Sequence, residues 1–334
     1  MQILLLGLEV FPVSLVLTLM LTQIILPRLV RAHAGQMILE IGPSWHKSKE
    51  GTPTMGGIAP IFAVILTTSL FALVLRRQTH EDLSPWLLTL LFALANASVG
   101  IIDDLTKLRH AQNRGLSPLQ KLVLQSAIAA AYLALLRIYG ICQTTVELLF
   151  SGRPLQMGFF WYPFFFLVIL WFVNCANLTD GIDGLAASVN TCIGVFYFAY
   201  AIRLESRNLM LCASALAGGA LGFFAFNRHP ARIFMGDTGS LFFGGLVVGC
   251  AMISPSPLAL FGVGIVFLME GLSVVLQVVY FKLTHGKRLL KMAPLHHHFE
   301  KCGMSEWWIV IIFVLITILF SVIAYGGVAH GIRR

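Results

Sequence analysis

Apolar runs long enough to cross a lipid bilayer recur along the whole chain, and no other feature constrains its folding as strongly. A span needs about 20 consecutive apolar residues. Ten runs can be drawn over the 334 residues, at roughly 10–30, 54–75, 86–103, 118–138, 159–177, 184–202, 208–226, 238–254, 258–282 and 306–326. In hydrocarbon every backbone amide must be paired inside the protein, which leaves helices or closed barrels. Unbroken apolar runs of this length select helices over alternating strands. The expected fold is an all-α integral membrane protein with about ten transmembrane helices, forming a single polytopic domain over 1–334. Composition excludes a water-soluble globule, because 11% of residues are charged where a soluble domain carries about 25%. The first run has no basic stretch before it and no small-residue cleavage site, so it reads as a retained span.

The loops between runs alternate between two sides, and their charge assigns the sides. Loops 28–53, 103–121, 177–184, 227–237 and 282–305 hold 15 of the 23 lysines and arginines. Positive residues favour the cytoplasmic side, so both termini are expected outside and these loops inside. The terminal Arg333-Arg334 pair runs against that assignment. The net charge of +8 is explained by this bias and by anionic lipid, without a nucleic-acid partner. The six cysteines are scattered with no C-x-x-C pair, which fits packing residues rather than a disulfide framework or a zinc site.

Five of the six aspartates (Asp103, Asp104, Asp180, Asp183 and Asp237) fall on the cytoplasmic side, and only Asp82 falls outside. Acids contribute little to topology. Ionisable groups at membrane depth are costly and are kept mainly where they act. Carboxylates converging on one face suggest a cation site assembled from cytoplasmic loops.

Five segments could build that site. Asp103-Asp104 ends an apolar run and precedes a basic loop with Lys107, Arg109, Arg114 and Lys121. Adjacent carboxylates suit Mg²⁺, which takes one or two of them plus phosphate oxygens, although a solvated helix end would look the same. Asn174, Asn177, Asp180 and Asp183 recur every third residue, so in a helical turn they share one face, and Gly181 and Gly184 allow close approach of a ligand. Asn227 precedes Phe234-Met-Gly-Asp237-Thr-Gly-Ser240, a turn into the next span. There Asp237 is either a helix cap or a ligand, and Phe234 offers a face for a planar base. Pro294-Leu-His-His-His-Phe299 carries His296, His297 and His298. Consecutive side chains diverge and H-E-x-x-H spacing is absent, so phosphate or sugar oxygens are better partners than zinc. The segment from His46 through Lys49 to Thr54 and Gly57 combines bases with a shaped, hydroxyl-bearing backbone. Glu270, inside the ninth run, is expected to mark a bend or break.

Taken in order, these motifs resemble those of the phospho-N-acetylmuramoyl-pentapeptide transferase family, within the polyprenyl-phosphate hexose-1-phosphate transferase superfamily. The resemblance runs from about Gly42 to Trp307, with departures at Trp45 and Glu50 and in the stretches around Cys175 and after Glu300. It implies transfer of phospho-N-acetylmuramoyl-pentapeptide from its UDP-linked donor to undecaprenyl phosphate, giving lipid I and UMP, with Mg²⁺. It implies a metal ligand at Asp237 and a catalytic group of Asp103, Asp104, Asp237 and His296. It implies donor contacts from Lys49, Thr54, Lys121, Asn177, Asp180, Gly181, Asp183, Asn227, Phe234, His297 and His298. A homodimer in the bacterial plasma membrane, with the site facing the cytoplasm, is implied as well. Two rivals remain at this stage: a sister enzyme using UDP-N-acetylglucosamine, and a transporter whose acids would sit near mid-membrane.

Overall fold

A computed structural model describes residues 1–31, 49, 51–109, 115–151 and 153–331. The segment from His46 to Ser48, together with Trp45, Glu50, Arg114 and Arg333-Arg334, lies outside them. In chain order the helices are α1 (Gln2–Arg31), α2 (Ile58–Thr79), α3 (Ser84–Arg109), α4 (Pro118–Ile138), α5 (Trp161–Thr179), α6 (Leu185–Leu204), α7 (Arg207–Asn227), α8 (Gly236–Met252), α9 (Ala259–Val263), α10 (Ile265–Leu283), α11 (Leu295–Lys301) and α12 (Glu306–Gly331). Two three-residue strands, β1 (Thr145–Glu147) and β2 (Pro154–Gln156), form an antiparallel hairpin between α4 and α5 with Val146 opposite Leu155.

Among the described residues nine helices are long and apolar enough to cross a membrane. The tenth expected span, α8, has 17 residues and is buried along its length from Thr238 to Met252. It is enclosed by other helices instead of facing lipid, so bilayer thickness does not set its length. Its partner α7 is nearly as enclosed. Both are rich in Gly, Ala, Ser and Cys, the small residues that let helix backbones approach where water provides no hydrophobic drive. The outer helices α1, α4, α10 and α12 turn most of their surface outward.

The ninth expected run is broken, but at Gly264, where α9 ends and α10 begins, and not at Glu270. Glu270 lies within continuous helix. The other departure that matters for function is in α3, which runs on to Arg109 where the apolar pattern stops at 103.

Helix alternation sorts the ends onto two faces. One face gathers the C-termini of α3, α5 and α7 and the N-termini of α4, α6, α8 and α12. The opposite face carries the hairpin and both described chain ends. There Gln2 accepts a hydrogen bond from Arg207 at 3.4 Å, and the Phe150 amide donates to the Gly327 carbonyl at 3.0 Å. Nearly all the expected site residues lie on the first face.

Candidate active site

Where α3 ends and α8 begins, three carboxylates meet. One oxygen each from Asp103, Asp104 and Asp237 lies within 4.8 Å of the others. The backbones touch here: a Cβ on Gly100 would lie 2.2 Å from the Asp237 carbonyl oxygen, so only glycine fits. Carboxylates so close repel unless cations intervene, and two lysines do so. Lys107 Nζ lies 2.6 Å from Asp103 Oδ2 and 3.3 Å from Asp237 Oδ2. Lys121 Nζ lies 3.1 Å and 2.5 Å from the same two oxygens. The extra turns of α3 make Asp103 and Lys107 an i,i+4 pair, where the sequence suggested a loop.

The three acids have different surroundings. Asp104 caps α8 from a neighbouring helix: Oδ1 accepts the Asp237 amide at 3.3 Å, and Oδ2 accepts the Thr238 amide at 2.9 Å and the Thr238 hydroxyl at 2.7 Å. The first amides of a helix have no partner inside it, and Asp104 supplies one. Asp103 Oδ1 accepts the Leu116 amide at 2.7 Å, tying in the start of α4. Asp237 Oδ1 accepts from Asn177 Nδ2 at 3.1 Å, and the same amide donates to Ser240 Oγ at 2.8 Å. Asp237 is the most accessible of the three, its side chain 16% exposed against 0% and 3%. An all-oxygen donor set with one open member is what a hard divalent cation uses when substrate phosphates complete its shell.

The expected polar stripe on α5 divides, because the helix ends at Thr179 and a turn follows. Asn174 Nδ2 donates to Gln125 of α4 at 2.8 Å and does not face the acids. Asn177 meets Asp237. Asp180 has no side-chain partner among the described residues. Burial, reinforced by the charges of Asp237, Asp104 and Asp183, pushes its carboxyl well above the usual carboxylate range.

Asp183 belongs to a second cluster. Lys49 Nζ lies 2.7 Å from Asp183 Oδ1 and 2.8 Å from both oxygens of Glu306. The Asp183 amide donates to Glu306 at 3.1 Å. Asp183 Oδ2 meets His229 Nδ1 at 3.1 Å and accepts the Ala231 amide at 3.0 Å. Asn227 is buried beside it, accepting the Gly184 amide at 3.1 Å and donating to the Ile233 carbonyl at 3.0 Å, so it braces the pocket and does not line it. Phe234 is held by its backbone between Pro53 and Gly56, and no described aromatic ring stacks on it. Thr54 lies beside Gly236, at the edge of the acid cluster.

The three histidines diverge, as their consecutive positions require. His296 turns inward to Glu270, His297 Nδ1 meets Glu300 at 2.6 Å, and His298 Nδ1 accepts the Lys291 amide at 3.1 Å. His296 has no exposed surface, so the contact expected of it is not open in this state. Sequence reasoning named Lys107 only as part of a basic loop after the acid pair, and assigned no site role to it, to His229 or to Glu306. For Lys107 the i,i+4 offset from Asp103 was the available signal, whereas an acid opening a span, like Glu306, reads first as a favourable helix-dipole charge.

Comparison with known proteins bears on this geometry. Residues 86–255 match the glycosyl transferase family 4, and residues 49–59 match signature 1 of phospho-N-acetylmuramoyl-pentapeptide-transferase. The chain is 41% identical over 315 residues to a phospho-N-acetylmuramoyl-pentapeptide-transferase of Clostridium perfringens, covering 94% of this chain and 96% of the relative. It is 43% identical over 290 residues to the Enterococcus hirae protein of that name, covering 86% and 88%. A Halalkalibacterium halodurans relative is 39% identical over 314 residues, covering 93% and 94%.

Proposed function

The chain belongs to the phospho-N-acetylmuramoyl-pentapeptide-transferase family, and from that premise we propose that it transfers phospho-N-acetylmuramoyl-pentapeptide from the UDP-linked donor to undecaprenyl phosphate, giving lipid I and UMP. The observation that carries this reading is the convergence of Asp103, Asp104 and Asp237 with Lys107 and Lys121 at one membrane face. In the reaction a lipid-phosphate oxygen bonds to the sugar-linked phosphorus. The phosphorus–oxygen bond to the nucleotide breaks, and UMP leaves with the electron pair. Phosphoryl transfer of this kind is catalysed mainly by positioning and by charge stabilisation.

The lipid phosphate is already a nucleophile, so its main obstacle is repulsion by the anionic donor. Lys107 and Lys121 offset that repulsion. Asp237, supported by Asp103, is the residue to hold Mg²⁺, which when bound would screen the diphosphate and the departing UMP. Asp103 or Asp104 takes any remaining proton; the oxygens of both are engaged before substrate binds, those of Asp104 by α8 and those of Asp103 by Leu116, Lys107 and Lys121. Asn177 orients Asp237, and Asp180 adds a fourth carboxyl at the same cluster. On the nucleotide side, Phe234 offers a stacking face, Lys49 and Asp183 hydrogen-bonding groups and Thr54 a hydroxyl, while the absence of a side chain at Gly181 leaves room for the His296 ring beside them. The family resemblance supports assigning His297 and His298 to the pentapeptide-bearing sugar. The charge bias of the loops supports a plasma-membrane enzyme whose acid-bearing face is cytoplasmic, and the family resemblance supports a homodimer. The five aspartates of the site cluster at helix ends rather than at mid-span, which favours a transferase over a transporter.

The test is UMP release by the purified chain with undecaprenyl phosphate, offering the muramoyl-pentapeptide and N-acetylglucosamine donors in parallel, with and without Mg²⁺. Release from the muramoyl donor that requires Mg²⁺ is expected. Release from the N-acetylglucosamine donor alone would move the chain to the sister activity.

A further inference from the structure

Glu270 is an acid inside a membrane-spanning helix, and the reaction as described above makes no use of it. It has no exposed surface, and neither does His296. The two meet twice: Glu270 Oε1 accepts the His296 backbone amide at 3.2 Å, and Oε2 lies 3.1 Å from His296 Nδ1. Two contacts from one carboxyl group, to the backbone amide and to Nδ1, hold the ring plane of His296 in place. A third group orienting an imidazole in this way is a recurring device in sites where the other nitrogen acts on substrate.

That other nitrogen, Nε2, is buried without a hydrogen-bond partner. Buried polar atoms are nearly always paired, and an unpaired one calls for a reason. Its neighbour is the turn that follows α5: a Cβ on Gly181 would lie 2.1 Å from Nε2, so the absence of a side chain at 181 is what admits the ring. The same turn carries Asp180, which faces the acid cluster, and Asp183, which joins the Lys49 cluster.

We propose that Glu270 is a positioning residue: it fixes His296 with Nε2 against the 180–184 turn, where it bonds an oxygen of the phosphosugar once the seating donor displaces that turn. This rests on the transferase reading above. Glu270 acts through His296 and does not touch substrate.

The test is a double-mutant cycle on the full chain in detergent, read by UMP release, with histidine ¹⁵N spectra of selectively labelled protein beside it. Glu270→Ala and His296→Ala are each expected to lower kcat by about 10- to 100-fold, the range for outer partners of functional histidines, with KM for the donor changed less than kcat. The double variant should be no slower than His296→Ala, because the two act as one unit. Glu270→Gln, which keeps one acceptor, should fall between wild type and Glu270→Ala. In the spectra the Nδ1 resonance of one ring should move in Glu270→Ala. That readout needs no substrate and keeps the claim testable if the alanine variant is unstable or wild type fails to turn over. Rate losses that multiply in the double variant, a wild-type rate in Glu270→Ala, or unchanged spectra would overturn the proposal. A wild-type protein releasing no UMP from either donor would instead overturn the parent reading.

Discussion

Asp103, Asp104 and Asp237 are held by helices whose backbones touch, whereas Lys49, Asp183, His229 and Glu306 come from four chain segments that meet near their ends. The first cluster sets three carboxylates, with Asp180 beyond them, against two lysines. The second sets two carboxylates against one lysine and one histidine, and backbone amides absorb the remaining oxygens. Both groups have the donor types of a cation site. Only the first is an all-oxygen donor set, the kind a hard cation prefers, and its open carboxylate is the more exposed, Asp237 at 16% against Glu306 at 11%. Oxygen donors throughout and an accessible member, more than the number of acids, mark where a hard cation belongs. The second cluster mixes a histidine nitrogen with its carboxylates and ties four chain segments together, and is better suited to gather loops around a nucleotide.

The largest effect is expected from removing the open member of the first cluster. Asp237→Asn should lower UMP release by on the order of 10³-fold, at the upper end for loss of one electrostatic group in a site, while detergent-solubilised protein keeps its melting temperature within a few degrees. Next comes Asp104→Asn. An amide nitrogen there would face the Thr238 or Asp237 amide, donor against donor, at a cost of about 1–3 kcal/mol. It should therefore reduce thermal stability as well as rate, and a variant inactive but fully stable would mean that Asp104 serves chemistry and not the cap. In the second cluster, Glu306→Gln should loosen Lys49 and Asp183, raising KM for the donor about tenfold, or ~1.4 kcal/mol, with kcat nearly kept. A kcat loss matching that of Asp237→Asn would erase the distinction between the clusters. The smallest effect belongs to Asn174→Ala. Its partner is Gln125, so a stability loss of about 1 kcal/mol with unchanged turnover is expected by thermal melting and rate assay together.

Much of the bundle was legible because lipid leaves so few solutions: long apolar runs become helices, and their alternation sorts the ends onto two faces. The hairpin was not, since its first strand is held by Pro255 and the loop between its strands by Gly327, both distant in sequence, and not by a pattern of their own. In the site, Asp103-Asp104 stood out because the two acids are adjacent in sequence and end an apolar run. Lys107 was hidden by the assumption that α3 stops where its apolar pattern stops. Asn174 was grouped with Asn177 by spacing alone, and only the position of α4 reveals that it faces elsewhere. Glu306 and Asp183 are separated by 123 positions, and Glu270 and His296 by 26. No local pattern encodes such pairs. They follow from which helix ends share a face.

Direct binding of Mn²⁺, as a paramagnetic stand-in for Mg²⁺, measured by electron paramagnetic resonance on purified wild type, Asp237→Asn and Glu306→Gln, tests the central distinction most directly. Binding that Asp237→Asn abolishes and Glu306→Gln leaves unchanged is the predicted result. Binding that survives Asp237→Asn but is lost in Glu306→Gln would contradict it and move the cation to the second cluster.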